Sequence, residues 1–156
     1  MYQVDLSGKN GIVFGVANHR SIAWSIAQTL NKAGARMAIA YQNERVRDGV
    51  SKLVETLEGD SPLIECDVSD DEDVKVAFDK VGEAMGGLDI IVHSIAFADR
   101  NDLGGRFVDT GREGFRMALD ISAYSLVSLA KYGTPLMKNG GSILTLTFQA
   151  ANKVFP

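Results

Sequence analysis

Residues 11–27, GIVFGVANHRSIAWSIA, constrain the fold of this 156-residue chain more than any other stretch. The apolar run at residues 12–14 is typical of a buried strand in a parallel sheet, and Gly15 ends it. From Ser21 onward an apolar residue recurs at every fourth position, as on one face of a helix. A strand, a glycine turn and a helix in this order bring backbone N–H groups and a positive helix end to one point, which predicts a phosphate site.

The spacing within this turn departs from the usual dinucleotide-binding motif. That motif is G-x-G-x-x-G, whereas this chain has Gly15, Ala17 and Ser21 in the corresponding turn. The alternative is the ordinary βα turn of any α/β protein. The turn by itself leaves both interpretations open, so the remaining segments of the chain have to decide between them.

Composition and charge restrict the class of protein. With 46% hydrophobic and 23% charged residues, we expect a single soluble domain, residues 1–156, whose apolar runs are too short to cross a bilayer. A net charge of -4 gives no reason to expect nucleic acid as a partner. Cys66, the one cysteine, is predicted to be a core thiol, and residues 1–6 lack the pattern of a secretion signal. Both observations favour the cytoplasm.

Strand-like and helix-like segments alternate along the chain and are joined by short turns. The segments with strand character lie at residues 12–14, 36–41, 62–66, 90–92 and 143–148. Parallel strands need right-handed crossovers, so the alternation predicts an α/β fold of the Rossmann type: a doubly wound parallel sheet with strand order 3-2-1-4-5. The first and fourth strands then flank the point where the order reverses, and the crevice there collects residues 15–22, 67–68 and 94–98.

The residue after the second strand bears on the choice of nucleotide. In a dinucleotide fold this position faces the adenosine ribose, where an acid selects NAD and a nearby arginine accepts the extra phosphate of NADP. Here the residue is Gln42, whose amide can bind a ribose hydroxyl without charge, so we favour NADH. Arg45 and Arg47 keep NADPH open, although a solvated helix face explains them equally well.

Two S/T-x-x-E patterns predict the starts of helices. Ser69 with Glu72, and Thr110 with Glu113, have the form of capping boxes, in which each pair satisfies backbone N–H donors. The acids at residues 70–73 therefore have a structural explanation, and we predict no metal site. The apolar stripe of the earlier helix consists of Val74, Phe78, Val81 and Met85. The stripe of the later helix, at residues 110–131, consists of Phe115, Leu119, Ser122, Leu126 and Leu129.

The two histidines are not expected to take part in catalysis. His93 follows the fourth strand, where neighbouring backbone groups usually satisfy an imidazole. His19 lies in the first turn, where we expect it to be exposed to solvent. Neither position therefore predicts a general base.

Six blocks of sequence, in one order, match a known family. They are GVANHRSIAWSIA at residues 15–27, AYQNE at 40–44, CDV at 66–68, VHSIAFA at 92–98, LDISAYS at 119–125 and SILTLT at 142–147. On these blocks the chain resembles the enoyl-acyl carrier protein reductases, divergent short-chain dehydrogenase/reductases that use NADH to reduce the trans-2 double bond in fatty acid synthesis. The Gly-x5-Ser-Ile-Ala turn separates this family from ordinary short-chain dehydrogenases.

The resemblance implies roles for individual positions. Those implied at the pyrophosphate and the adenosine are Gly15, Ala17, Ser21, Ile22, Gln42, Asp67 and Val68. Those implied at the nicotinamide and its ribose are Ser94, Ile95, Ala96, Leu146 and Thr147, and those that would reach the acyl substrate are Phe97 and Ala98. For Ile22, Ile95 and Leu146, packing of the side chain with binding by the backbone is an equally good interpretation.

The chain also departs from the family pattern. The family's catalytic pair is a tyrosine and a lysine separated by six residues on a helix after the fifth strand, and that segment would begin after Pro156. Phe148 stands where relatives often have another tyrosine, and a phenyl ring cannot donate a hydrogen bond to an enolate oxygen. For these 156 residues alone we therefore expect partial or absent nucleotide binding, negligible turnover and a poorly covered fifth strand at the sheet edge.

Two alternatives stay open on the sequence. One is another short-chain reductase acting on a ketone, against which the Gly-x5-Ser turn argues. The other is a non-catalytic dinucleotide-binding or interaction module, which the missing tyrosine and lysine favour. The implied substrate is an enoyl thioester on acyl carrier protein. Relatives are commonly tetramers, and surplus apolar residues of the helix at 110–131, including Tyr124 and Val127, indicate a partner surface.

Overall fold

The computed structural model describes residues 4–149 and 152–153, which contain one parallel sheet of five strands. The strands are β1 (Asn10–Phe14), β2 (Arg36–Tyr41), β3 (Leu63–Glu65), β4 (Ile90–His93) and β5 (Ser142–Thr145). They lie in the order β3-β2-β1-β4-β5, and each neighbouring pair is parallel. The predicted fold class and strand order are therefore confirmed.

Five α-helices lie within the described residues. They are α1 (Ile22–Lys32), α2 (Glu44–Val54), α3 (Asp71–Met85), α4 (Arg112–Leu119) and α5 (Ser125–Gly133), and a π-helical turn at Asp120–Tyr124 joins α4 to α5. Short 3-10 turns lie at Arg100–Asp102, Phe107–Asp109 and Thr134–Leu136. In this part of the chain no helix has the length and apolar character needed to span a membrane.

The hydrophobic core has two layers, because alternate residues of the inner strands point to opposite faces of the sheet. On one face, Ile12 and Phe14 of β1 belong to a buried cluster with residues of α3 and α5. On the other face, Val13 of β1 and Ile39 of β2 belong to a cluster with residues of α1 and α2. Helices therefore cover both faces of the sheet, as a doubly wound fold requires.

The apolar stripe of α3 is as predicted, whereas that of the following helical region is not. The buried residues of α3 include Val74, Phe78, Val81 and Met85. The predicted helix at residues 110–131 is interrupted by the π turn, which widens one turn and rotates the following stripe relative to α4. As a result Leu129 is buried, but Phe115 and Leu119 are about half exposed.

Both predicted capping boxes are wrong by one residue. The N-cap of α3 is Asp70 rather than Ser69, and its carboxylate accepts from the Glu72 N–H at 2.8 Å. The N-cap of α4 is Gly111 rather than Thr110, and no side chain caps that helix. The reason is the backbone, which is still extended at the later residue in both cases, so that each helix starts one position further on.

Candidate functional site

A cleft of about 410 Å³ opens at the carboxyl ends of β1, β2, β3 and β4. It lies at the switch point between β1 and β4, where ligands of open α/β sheets bind, and its volume is in the range of cofactor sites. Of the predicted site residues, the cleft collects Gly15, Ala17, Gln42, Asp67, Val68, Ser94, Ile95, Ala96 and Phe97. Residues from four separate segments of the chain therefore meet in one place.

The other predicted residues do not line this cleft; they are Ser21, Ile22, Ala98, Leu146 and Thr147. Ile22 is 63% exposed in the first turn of α1. Leu146 packs against the core cluster of α1 and α2, and its N–H donates to the His93 carbonyl at 3.2 Å. Thr147 is exposed and Ala98 is half-buried. The side chain of Leu146 therefore packs, as the alternative interpretation had it.

The side chain of Ser21 stabilises the turn after β1 through hydrogen bonds to its backbone. Its Oγ accepts from the N–H groups of Ala17 and Asn18, both at 3.1 Å, and therefore does not cap α1. The first turn of α1 also lacks an acid, whereas α2 and α3 are capped by Asn43 and Asp70 and carry acids in their first turns. Trp24 and Ser25 donate their N–H groups to the Ser21 carbonyl, whereas those of Ile22 and Ala23 have no partner within the described residues and can bind an external anion. The Ser21 hydroxyl also keeps a proton to donate.

Gly15 allows the ends of β1 and β4 to approach each other. Its φ is +99°, and a Cβ at this position would lie 1.9 Å from the carbonyl oxygen of Ser94. Glycine avoids both the conformational cost and the clash. Because of this approach, the turn after β1 lies directly beside residues 94–97, which we call the β4 wall of the cleft.

Asp67 is oriented by the turn in which it lies. Its Oδ1 accepts from the N–H and from the Oγ of Ser69, at 3.0 and 2.8 Å. Within the described residues its Oδ2 has no donor, and Asp67 lines the cleft. A carboxylate oxygen in this position can accept from an exocyclic amine such as that of adenine. Ser69 therefore belongs to the site rather than to the helix cap.

The cleft lining contains no lysine or arginine among the described residues. Gln42, at the end of β2, lines the cleft and is exposed. The guanidinium of Arg47 lies 3.5 Å from the carboxylate of Glu44, and the backbone of Arg45 donates to the capping side chain of Asn43. This lining suits the uncharged ribose recognition predicted for Gln42 better than it suits an additional phosphate.

Several lining residues were missed from the sequence. One group adjoins the predicted positions at the turns and strand ends, and consists of Phe14, Ala40, Tyr41, Cys66 and Ser69, with Val46 of α2 nearby. Extension of each predicted segment by a residue could have found most of this group. Met117 and Ile121 come from α4 and the π turn, and no local pattern places them over the cleft.

Burial, and then the carboxylate of Asp73, raises the pKa of the Cys66 thiol to about 12, so this thiol is not a nucleophile at neutral pH.

His93 is buried and bonds to side chains, so the prediction that backbone groups satisfy it is wrong. Its Nδ1 lies 3.0 Å from Thr145 Oγ1 on β5, and its Nε2 lies 2.8 Å from Ser125 Oγ on α5. Since Ser125 Oγ donates to the Ile121 carbonyl, it accepts from the Nε2–H, and Thr145 donates to Nδ1. Burial lowers the pKa of His93, which favours the neutral ring. The imidazole thus joins β4 to β5 and α5.

Comparison with known proteins matches residues 15–156 to the family described as Enoyl-(Acyl carrier protein) reductase. The chain is 45% identical over 150 residues to the enoyl-(acyl-carrier-protein) reductase (NADH) FabI of Bacillus cereus, and the match covers 96% of this chain and 59% of the relative. It is 46% identical over 156 residues to the FabI of Nostoc sp., with 98% and 60% covered. The chain thus spans about three fifths of the length of these curated relatives.

Solved structures that resemble this chain come from the same family. A reductase from Anaplasma phagocytophilum, solved in complex with NAD, is 44% identical and superposes with a TM-score of 0.92, covering 97% of this chain and 57% of that one. The Bacillus cereus reductase, solved with NADP+ and an indole naphthyridinone, is 44% identical with a TM-score of 0.93, covering 97% of this chain and 60% of that one. Fold and sequence therefore point to the same set of relatives.

Proposed function

The chain belongs to the enoyl-(acyl carrier protein) reductase family, and we propose that its cleft binds NADH for the reduction of the trans-2 double bond of enoyl-acyl carrier protein thioesters in fatty acid synthesis. The observation that carries this proposal is the single cleft that joins the glycine turn, Gln42, Asp67 and the β4 wall at the switch point of the sheet. The similarity to the NADH-dependent enoyl-(acyl-carrier-protein) reductases of Bacillus cereus and Nostoc sp. supports the reaction.

The dinucleotide would lie across the ends of the strands. The open amides of α1, with Gly15 and the Ser21 hydroxyl, suit the pyrophosphate. The free Oδ2 of Asp67 suits the adenine amine, and Gln42 suits the adenosine ribose. The β4 wall would lie along the nicotinamide, with Leu146 and Thr147 by its ribose and Phe97 and Ala98 toward the acyl group, as the resemblance implies.

NADH held in this cleft would supply a hydride for reduction of the enoyl double bond. The small side chains of Ser94 and Ala96 leave room for a flat ring beside the main chain. Charge that develops on the thioester oxygen requires a hydroxyl donor, which contributes about 3 to 4 kcal/mol in enzymes of known mechanism. The phenyl ring of Phe148 cannot supply this hydrogen bond.

Three further features are carried over from the family. We propose acyl carrier protein as the carrier of the substrate, the cytoplasm as the location and a homotetramer as the assembly. The exposed apolar side chains of Phe115, Tyr124 and Val127 offer surface to other copies. Light scattering on the natural polypeptide tests the assembly, and a monomer at micromolar concentration would contradict it.

Calorimetric titration of the natural polypeptide with NADH and with NADPH tests whether the cleft binds a dinucleotide. We expect saturable binding that is tighter for NADH. Asp67→Asn should weaken NADH binding by about fivefold to tenfold, because a hydrogen bond to a charged acceptor is lost. Asp73→Asn is the matched control, since Asp73 is an acid in the first turn of α3 that does not line the cleft. Equal losses in the two variants, or no saturation by either nucleotide, would overturn the proposed site.

Consumption of NADH by the natural polypeptide, with crotonyl-acyl carrier protein as substrate, tests the reaction. Reduction of the enoyl thioester is the expected result. Reduction of a ketone but not of the thioester would favour another short-chain reductase. Binding of NADH without reduction of either substrate would favour a non-catalytic binding module.

A further inference from the structure

Ser122 makes an unusual pair of contacts with the β4 wall. Its Oγ accepts from the N–H of Phe97 at 3.0 Å and donates to the carbonyl of the same residue at 3.1 Å. One hydroxyl therefore satisfies both backbone groups of Phe97. The main chain at Phe97 is held in place and its N–H is no longer open to a ligand, while the residue stays 47% exposed.

The β4 wall has few other hydrogen bonds, and its packing comes from Ile95, which lies against the buried cluster that contains Phe14 and Leu129. Strand β4 ends at His93, and the Ser94 N–H still donates to the Phe14 carbonyl at 3.2 Å. Between that bond and the Ser122 pair, the described structure shows no hydrogen bond to residues 95–96. The wall is thus attached to β1 at one end and to Ser122 at the other.

The π turn is what brings Ser122 into reach. A π-helical turn adds a residue to the helical repeat, and such turns occur often at functional sites. The turn at Asp120–Tyr124 holds Ser122, and Ser125 directly after it bonds to His93 at 2.8 Å. Because Ser122 is bonded to the wall and Ser125, the residue directly after the turn, is bonded to β4, this region supports the wall rather than forming a free surface segment.

We propose that Ser122 is a positioning residue that fixes the β4 wall for the nicotinamide half of the dinucleotide, an inference that rests on the proposed function. It touches neither cofactor nor substrate. It holds the main chain at Phe97, so that residues 94–96 present a constant surface to the nicotinamide ring. The adenosine half of the site, at Gln42 and Asp67, lies on other strand ends and does not depend on this contact.

The test compares two ligands that differ in the nicotinamide, namely NADH and ADP-ribose, on variants of the natural polypeptide. Ser122→Ala should weaken NADH binding by about fivefold to tenfold and leave ADP-ribose binding unchanged, because the loss corresponds to about one hydrogen bond. Ser122→Thr keeps the hydroxyl and should restore NADH binding. Binding of ADP-ribose reports that each variant is folded.

Ser128→Ala is the matched control. Ser128 is another serine of this helical region, buried where Ser122 is half-buried, and its Oγ donates to Asp71 Oδ1 at 2.6 Å, away from the cleft. Removal of that hydroxyl should lower stability without a change in the affinity for either ligand. Equal NADH losses in the alanine variants at 122 and 128 would show a general effect of stability and would overturn the proposal.

Amide hydrogen exchange at Phe97 gives a measurement that does not depend on ligand binding. Exchange should be about tenfold faster in Ser122→Ala than in the unsubstituted protein, and should return to its original rate in Ser122→Thr. An unchanged exchange rate in Ser122→Ala, or unchanged NADH affinity, would overturn the role of Ser122. Failure of the unsubstituted protein to bind either ligand would instead overturn the proposed function, and Phe97 exchange would still decide whether Ser122 holds the wall.

Discussion

Strands β2 and β5 have similar apolar sequences but lie in very different surroundings. In β2, RMAIAY, every residue after the first is buried, and the strand has neighbours on both sides. In β5, SILT, all four residues are exposed, and within the described residues the strand pairs only with β4. Ile39 and Leu144 point to the same face of the sheet, yet Ile39 is 0% exposed and Leu144 is 51% exposed.

The difference lies in what covers each strand. Helices α1 and α2 lie over β1 and β2, whereas a groove of about 420 Å³ lies over β4 and β5, lined by residues that include Leu30, Val92 and Leu144. The predicted poorly covered edge strand is thus present in the described structure. The half of the sheet formed by β1, β2 and β3 is packed within the described residues, and the half that carries β5 is not.

The substitution expected to lower the free energy of unfolding most is at Gly15, where the turn after β1 approaches the end of β4. Gly15→Ala in the 156-residue chain should lower the free energy of unfolding by about 4 kcal/mol, because positive φ and a backbone clash add together. Gly59→Ala, at a φ of +80° with open space around it, isolates the conformational cost and should lose only about 1 kcal/mol. Urea unfolding measures both, and equal losses would mean that the strand ends do not touch.

The next effect is the direct comparison of the two strands. Ile39→Ala should cost about 3 kcal/mol of unfolding free energy, because it leaves a cavity in the core, whereas Leu144→Ala should cost less than about 1 kcal/mol. The measurement is urea unfolding of the two variants of the 156-residue chain. If Leu144→Ala costs as much as Ile39→Ala, the groove over β5 is covered in solution and the contrast between the strands fails.

A smaller effect is expected at His93, which links β4 to the less covered half. Burial lowers its pKa below the usual 6.5, so the unfolded chain binds a proton at a higher pH than the folded chain does. The unfolding free energy should therefore fall as the pH drops below 6.5 toward the lowered pKa, and should be unaffected by this group above 6.5.

Unfolding measured between about pH 7 and about pH 5.5 checks this dependence. His93→Gln should be less stable at neutral pH because its hydrogen bonds are disturbed, but its stability should change less with pH. His19→Gln, at an exposed histidine, is the control for the substitution itself. The same slope in His93→Gln as in the unsubstituted chain would assign the dependence to other groups.

The last comparison uses the rate of thiol alkylation, with one cysteine in the packed half of the sheet and one on β5. Cys66 lies in the packed half, and burial raises its pKa to about 12, so alkylation near pH 8 should be slow. A second thiol introduced by Ile143→Cys, on the partly exposed β5, should react about a hundredfold faster in the same chain, as mass spectrometry of the peptides would show. Similar rates would mean that the two halves open equally often.

Much of the packed half could be predicted from local pattern. The second strand was predicted at residues 36–41, which are the observed bounds of β2, because a continuous apolar run bounded by turn residues has few alternatives. The residues that follow the strands could be assigned to one site, since the carboxyl ends of parallel strands meet at one edge. The N-cap of α3 could not be predicted, because Ser69 and Asp70 both offer an acceptor and only the backbone conformation decides which of them is the N-cap.

The sequence by itself determined the alternation of strands and helices, the strand order and the set of strand ends that form the cleft, because periodicity and crossover handedness are local or general constraints. Only the tertiary structure decided the π turn that carries Ser122 to Phe97, the hydroxyl partners of His93 and the exposure of β5. These features depend on contacts between segments far apart in the chain. An apolar pattern states that a surface can be buried, and its neighbours in space decide whether it is.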